Sequence, residues 1–363
     1  MKVVIRVDAS RQMGTGHLMR CLALADGLAK KAVRCLFVCR SIDEFLEGEV
    51  RRHGHELRLL PLGGADEVTQ SDFLPYASWL GSHWADDAEA TRRVAACAEA
   101  DWLITDHYAI DRRWHAKLRG AVRRIMAIDD LADRAHDADL LLDQSDTTET
   151  AARYRDLVPR SCVLLLGPRY ALLRSEFAKL GGGAEARSPE DPRLFVCFGG
   201  SDPKNCTAIA IGALDRLDGT FAANIVVGSA HPAKADIEAA CRVRPWLRFH
   251  ASTPDIAELM AQSTLAVGGG GVMAWERLCL GLPSIIIAIE QNQVETATNL
   301  DRLGLATYLG SSDAVSERSL AEAIERLMAD AARLNAVRRR ARAMVDGLGV
   351  DRVVATLLSD GSF

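Results

Sequence analysis

The chain has 363 residues, roughly two to three domains at ~150 residues each. Hydrophobic residues make up 48% and charged residues 26%, an ordinary globular composition that excludes a disordered, collagenous or coiled-coil chain. Lys+Arg number 44 against Asp+Glu 49, a net charge of −5, which argues against broad binding to nucleic acid or to an anionic membrane.

The first apolar stretch, Val3-Val4-Ile5, is broken by Arg6 and Asp8. It reads neither as a signal peptide nor as an anchor. Apolar runs such as Ser284 to Ile289 fall far short of the ~20 residues that span a bilayer. The nine cysteines sit mostly in apolar contexts and form no CxxC pair. A reduced, cytoplasmic, monomeric protein with core thiols is expected.

Short β-branched runs alternate with helical stretches along the chain. Strands are predicted at Val3–Val7, Val33–Cys39, Trp102–Thr105, Arg124–Ile128 and Cys162–Leu166. In the second half they are predicted at Arg193–Phe198, Asn224–Gly228, Leu247–His250, Thr264–Val267 and Ser284–Ile289. Several are continuous apolar runs, as expected where helices cover both sheet faces. In His17–Ala29 the residues Leu18, Cys21, Leu22, Ala25, Leu28 and Ala29 follow helical spacing. The fold class is α/β, two doubly wound Rossmann-like domains facing across a cleft. Residues 181–192 are rich in Gly, Pro and Ser and read as a linker between domains 1–180 and 193–363. The Arg/Ala/Leu-rich helical tail could cross back to the first domain.

Six segments carry candidate chemistry. Gly14-Thr15-Gly16-His17 lies between the first strand and its helix. Its glycines allow close backbone approach, and a neutral His17 could act as a base or merely cap the helix. Thr105-Asp106-His107-Tyr108 follows a strand; Asp106 could orient an imidazole, or simply favour a turn. Ile128-Asp129-Asp130 is similar, with no His or Glu at metal-ligand spacing.

Phe198-Gly199-Gly200-Ser201 offers amides and a hydroxyl to a phosphate. Gly268 to Gly271 are four consecutive glycines. Such a run is costly to order, and close approach to a phosphate is the best reason for it. Glu276, about one turn into the next helix, could accept both hydroxyls of a ribose or be a surface glutamate. Glu290-Gln291-Asn292 ends the last predicted strand. A rival reading takes Gly269-x-Gly271-x-x-Ala274 as a dinucleotide fingerprint. A second Gly-rich loop, which one dinucleotide site does not need, argues against it.

Gly268–Glu276, Gly281-Leu282-Pro283 and Glu290-Gln291-Asn292 resemble the nucleotide-diphosphate end of GT-B glycosyltransferases. Ile5-Arg6-Val7-Asp8-Ala9-Ser10, Gly14-Thr15-Gly16-His17-Leu18-Met19-Arg20-Cys21, Asp106-His107-Tyr108, Leu141-Leu142-Asp143-Gln144 and Gly167-Pro168-Arg169-Tyr170 resemble a narrower family. These are the UDP-2,4-diacetamido-2,4,6-trideoxy-β-L-altropyranose hydrolases of pseudaminic acid synthesis. Ser145 stands where the resemblance would have Asn.

The resemblance implies a metal-independent, cofactor-free hydrolase acting on a small UDP-sugar. It would break the anomeric C–O bond with inversion, with His17 as general base. It implies Asp8, Gly14, Gly16, Arg20, Asp106, Tyr108, Gln291 and Asn292 on the sugar side. Gly200, Ser201, Gly270, Gly271, Glu276 and Glu290 would bind UDP. The alternatives are a GT-B glycosyltransferase using a related UDP-amino sugar and a nucleotide-sugar-binding protein.

Overall fold

The computed structural model describes residues 1–10, 13–62, 74–145, 150–181, 192–218, 220–228 and 231–359. The chain divides into two compact units, Met1–Leu172 with Gly349–Phe363, and Leu173–Leu348. The passage between them at Leu172/Leu173 precedes the stretch that composition singles out as a linker. Residues 182–191 of that stretch lie outside the described residues.

The first unit holds β1 (Lys2–Val7), β2 (Arg34–Cys39), β3 (Glu56–Leu59), β4 (Trp102–Asp106), β5 (Arg124–Ile128), β6 (Leu140–Asp143) and β7 (Val163–Leu166). They form one sheet in the order β3-β2-β1-β4-β5-β6-β7, with every pairing parallel. Period-two alternation explains the continuous apolar runs. Val3, Ile5 and Val7 of β1 share a core with Leu18, Cys21, Leu22, Ala25 and Leu28 of helix Gly16–Ala29. Val4 lies in the other core, with Ala88 and Ala95 of helix Trp84–Ala98.

Helix Gly16–Ala29 departs from the expected one-sided pattern. Ala23, Leu24 and Gly27 are buried as well, whereas Ala29 is exposed. The reason is the last helix, Gly349–Leu358, whose Val353, Val354 and Leu357 complete the same core. A Cβ on Gly27 would lie 2.4 Å from Val350 Cγ1, so only glycine lets the two helices meet.

The second unit holds β8 (Arg193–Cys197), β9 (Ala222–Val227), β10 (Leu247–Ala251), β11 (Leu265–Gly268), β12 (Ser284–Ala288) and β13 (Thr307–Ser311). Its sheet runs β10-β9-β8-β11-β12-β13, again parallel.

Three strands escape the sequence reading. β3 is a largely exposed edge strand, Glu-Leu-Arg-Leu, with little apolar signal. β6 has four residues, too few to show a period. β13 is a half-exposed edge strand whose register shifts opposite Ile286/Ile287, next to Gly310 at φ 131°. Among the described residues no helix is long and apolar enough to cross a membrane.

Candidate functional site

In a doubly wound sheet, ligands bind beyond the carboxyl ends of the strands where the order reverses. In the first unit that point lies between β1 and β4, paired at Val7↔Asp106. Helix Gly16–Ala29 starts just beyond β1. One turn separates His17 from Arg20, so both side chains reach Asp106 at the tip of β4.

His17 Nδ1 lies 2.6 Å from Asp106 Oδ1. Arg20 donates from Nε to Asp106 Oδ2 and from Nη2 to Oδ1, both at 2.6 Å. It also donates from Nη1 to Asp130 Oδ2 at 3.0 Å. His17 therefore does not cap its helix; it is oriented by a carboxylate. Burial works to raise the Asp106 pKa, but Arg20 and then His17 outweigh it and hold the group well below the usual range.

An ionised carboxylate only accepts, so Nδ1 of a neutral His17 carries the proton and Nε2 the lone pair. Arg20 Nη2 also lies 3.2 Å from Nδ1, but that nitrogen already has Asp106 as its closer acceptor. Nε2 has no hydrogen-bond partner among the described residues.

The Tyr108 ring meets the His17 ring edge-on, with centroids 4.7 Å apart at 86°. Tyr76 and Trp79 join it at 5.1 and 6.0 Å. Both are partly exposed, and the sequence reading missed them because the single 3-10 turn Ala77–Leu80 is too short to show a period.

Asp8, expected on the sugar side, is fully buried in an internal network. Its Oδ1 accepts from the Arg40 amide at 2.6 Å and the Ser41 amide at 3.0 Å, and pairs with Arg6 at 2.8 Å. His107 Nε2 lies 3.4 Å from its Oδ2. Its carboxylate thus orders the loop after β2 and the start of the β4 loop. Arg6 and Arg40 in turn share Asp87 with the Trp114 indole. Gly14 has φ +73° and open space where a Cβ would be. Its amide donates to the Ser10 carbonyl at 2.8 Å, so here the glycine closes a turn beside His17.

Asp129 and Asp143, at the ends of β5 and β6, share one phenol. Tyr154 Oη lies 2.9 Å from Asp129 Oδ2 and 3.1 Å from Asp143 Oδ2. Burial, the largest influence, pushes Asp143 up to about 7, whereas Asp129 is held low because Arg134, His136 and the Ala132 amide together outweigh its burial. The single phenol proton serves Asp129; the second short contact needs a proton on Asp143. Among the described residues no group of three His, Cys, Asp or Glu is arranged to hold a metal ion.

In the second unit the order reverses between β8 and β11, where Gly268 pairs with Cys197. The β8 loop turns at Gly199, φ +95°. Asp202 then caps helix Cys206–Asp215, accepting from the Cys206 and Thr207 amides at 2.9 and 2.8 Å. Gly200 and Ser201 are half-buried between them.

Packing accounts for part of the glycine run. A Cβ on Gly268 would lie 2.3 Å from the Cys197 carbonyl oxygen and 2.7 Å from Arg277 Nη1, and one on Gly270 3.1 Å from the Gln293 carbonyl oxygen. Packing within the unit requires Gly268 and crowds Gly270. Exposed Gly271 has open space, with Gln293 Nε2 at 3.8 Å. The Gly270 amide, expected to bind a phosphate, donates to Gln293 Oε1 at 3.0 Å, which also accepts from the Ile289 amide at 3.2 Å. Gln293 is thus a residue the sequence reading missed, one position beyond the polar triplet it singled out.

Glu276 is not a surface glutamate. It is 6% exposed, with Arg174 Nη2 at 3.4 Å from Oε1, and its pKa is raised by burial more than Arg174 lowers it. Glu290 and Gln291 are exposed and Asn292 half-buried.

Residues 195–349 match the glycosyltransferase family 28 C-terminal domain, which favours the nucleotide-sugar over the dinucleotide reading. The chain is 24% identical to the spore coat polysaccharide biosynthesis protein SpsG of Bacillus subtilis, over 98% of either chain. It is 27% identical to the UDP-2,4-diacetamido-2,4,6-trideoxy-beta-L-altropyranose hydrolase of Campylobacter jejuni, over 84% of this chain and 97% of that one. MurG of Acinetobacter baumannii is similar in structure, with a TM-score of 0.64 at 12% identity over 98% of each chain. The calicheamicin glycosyltransferase CalG4 is also similar, with a TM-score of 0.62 at 18% identity over 99% of each chain. Two Rossmann-like units, each built on a parallel sheet, and this end-to-end likeness give the chain the GT-B fold.

Proposed function

We propose that the protein hydrolyses a UDP-linked 2,4-diacetamido-2,4,6-trideoxy sugar, a step of pseudaminic acid biosynthesis. The observation that carries the reading is the 2.6 Å contact between His17 Nδ1 and Asp106 Oδ1. It leaves Nε2 as the basic atom.

Nε2 of His17 takes a proton from water as the water oxygen bonds to the anomeric carbon. The C–O bond to UDP breaks with its electron pair going to UDP, and the sugar inverts. Asp106 steadies the imidazolium as it forms; such base assistance is worth ~10²–10⁴-fold. Arg20 holds Asp106, and Tyr108 borders the base. Gly14 and Gly16 shape the turn beside it, and Asp8 acts through its network. In the second unit Glu276 would accept the ribose hydroxyls. Gly200, Ser201 and Gly271 would meet the diphosphate, with Gly270 braced by Gln293. Gln291 and Asn292 would reach the sugar, and Glu290 would lie on the UDP side. UDP is a good leaving group once its charge is held. The relative from Campylobacter jejuni supports the hydrolytic reading.

The family 28 match over residues 195–349 favours a second reading, transfer of a related sugar to an acceptor hydroxyl activated by the same His17. One experiment separates them: purified protein with the UDP-diacetamido sugar, with and without acceptor, and the His17→Ala variant beside it. Hydrolysis predicts UDP release without acceptor and loss of turnover in His17→Ala at unchanged UDP affinity. Release only with acceptor establishes the transferase.

A further inference from the structure

We propose that Arg277 is the internal counter-charge of the diphosphate subsite, a positioning residue whose guanidinium lies beneath the glycine run and supplies positive potential to an anion bound there. The proposal rests on the nucleotide-sugar reading. Arg277 is fully buried. Its Nη2 donates to the Gly269 carbonyl at 2.6 Å, while Nε and Nη1 have no hydrogen-bond partner among the described residues. Nη1 lies 2.7 Å from where a Gly268 Cβ would be, so the cation presses directly against the loop backbone.

Nothing hydrogen-bonded to Arg277 offsets its charge. The neighbouring Cys197 thiol is pushed up to about 12 by burial and is neutral at pH 7. Glu276, the adjacent residue in the chain, attracts Arg277 through space by less than burial opposes its charge, and its hydrogen bond goes to Arg174. Burial even draws the Arg277 guanidinium down to about 10, yet it remains charged at neutral pH. A buried cation with no hydrogen-bonded counter-charge costs stability, and an apolar side chain of similar size would ordinarily serve the fold better. An anion at the loop changes that balance. Across a low-dielectric interior the attraction is screened little by salt, and it acts on a diphosphate but not on a neutral nucleoside.

The test compares UDP, inorganic pyrophosphate and uridine by calorimetry on wild type, Arg277→Lys and Arg277→Gln. Glutamine keeps a donor for the Gly269 carbonyl and removes the charge. UDP and pyrophosphate should bind Arg277→Gln at least ~10-fold more weakly, uridine unchanged, and Arg277→Lys should keep most of the UDP affinity. Equal losses for UDP and uridine, or no loss for UDP, overturn the proposal.

Should Arg277→Gln fail to fold, wild type carrying ¹⁵N-arginine decides. The Arg277 Nε resonance, identified by its absence in Arg277→Lys, should shift with UDP and pyrophosphate but not with uridine; no shift overturns the proposal. Wild type that binds pyrophosphate but not UDP would defeat the nucleotide-sugar reading while leaving Arg277 to be judged on pyrophosphate alone.

Discussion

Nδ1 of His17 and Oδ1 of Asp106 stand 2.6 Å apart, joining the second residue of the first helix to the last residue of β4. An asparagine at position 106 can turn its NH₂ toward Nδ1, which moves the imidazole proton to Nε2 and removes the base. Asp106→Asn should therefore lower kcat by ~10²–10⁴-fold while UDP affinity by calorimetry stays the same. The melting temperature should also fall, because Arg20 loses its fully buried counter-charge and keeps only the partly exposed Asp130. Unchanged turnover would show that Asp106 serves Arg20 alone.

Gly268 and Gly271 should separate packing from ligand contact. Gly268→Ala forces a methyl against the Cys197 carbonyl and Arg277, so thermal stability should drop by about 2–4 kcal/mol. Gly271→Ala meets only Gln293 Nε2, at an ordinary contact distance of 3.8 Å. It should melt like wild type and bind UDP several-fold more weakly. A UDP affinity untouched by Gly271→Ala would move the diphosphate away from this loop.

Glu276→Ala should weaken UDP binding by about 1–3 kcal/mol, because a buried carboxylate that accepts ribose hydroxyls contributes to ground state and transition state alike. The same substitution should cost 2′-deoxy-UDP less. Equal losses for the two nucleotides would leave Glu276 as a partner of Arg174 only.

The sequence makes legible what is local or repeated. β1, β8, β11 and β12 are readable because both faces are covered and most of their residues are apolar and buried. His17 and Glu276 are readable because each follows a strand and a turn in a doubly wound pattern, and Asp106 because it stands at a strand's carboxyl end. What escapes depends on distant contacts. Asp87 looks like any residue in the first turn of a helix, yet it holds Arg6, Arg40 and Trp114. Gln293 gains its role from a glycine amide 23 positions away. Gly268 looks like a phosphate-loop glycine, but the Cys197 carbonyl on the neighbouring strand requires it.

Asp143 gives a pH prediction with a definite sign. Its pKa is raised from the usual 3.8 to about 7 by burial. A raised acid stabilises the fold in its protonated form. That contribution is whole below about pH 4 and is lost as pH climbs through about 7. Asp106, Asp8 and Asp129 are shifted the other way, and their contributions are lost on acidification below the usual carboxylate range. Asp143→Asn should therefore be more stable relative to wild type at pH 8 than at pH 5, by on the order of 2–4 kcal/mol. Urea unfolding at the two pH values measures it. A difference independent of pH would mean that Asp143 is ionised throughout.

Turnover in H₂¹⁸O tests the central claim most directly. His17 is assigned to deliver water to the anomeric carbon, so the label should appear in the hydroxyl of the released sugar and not in UDP. Label in UDP would mean attack at phosphorus, and the assignment of His17 as the base of an inverting sugar hydrolase would be contradicted.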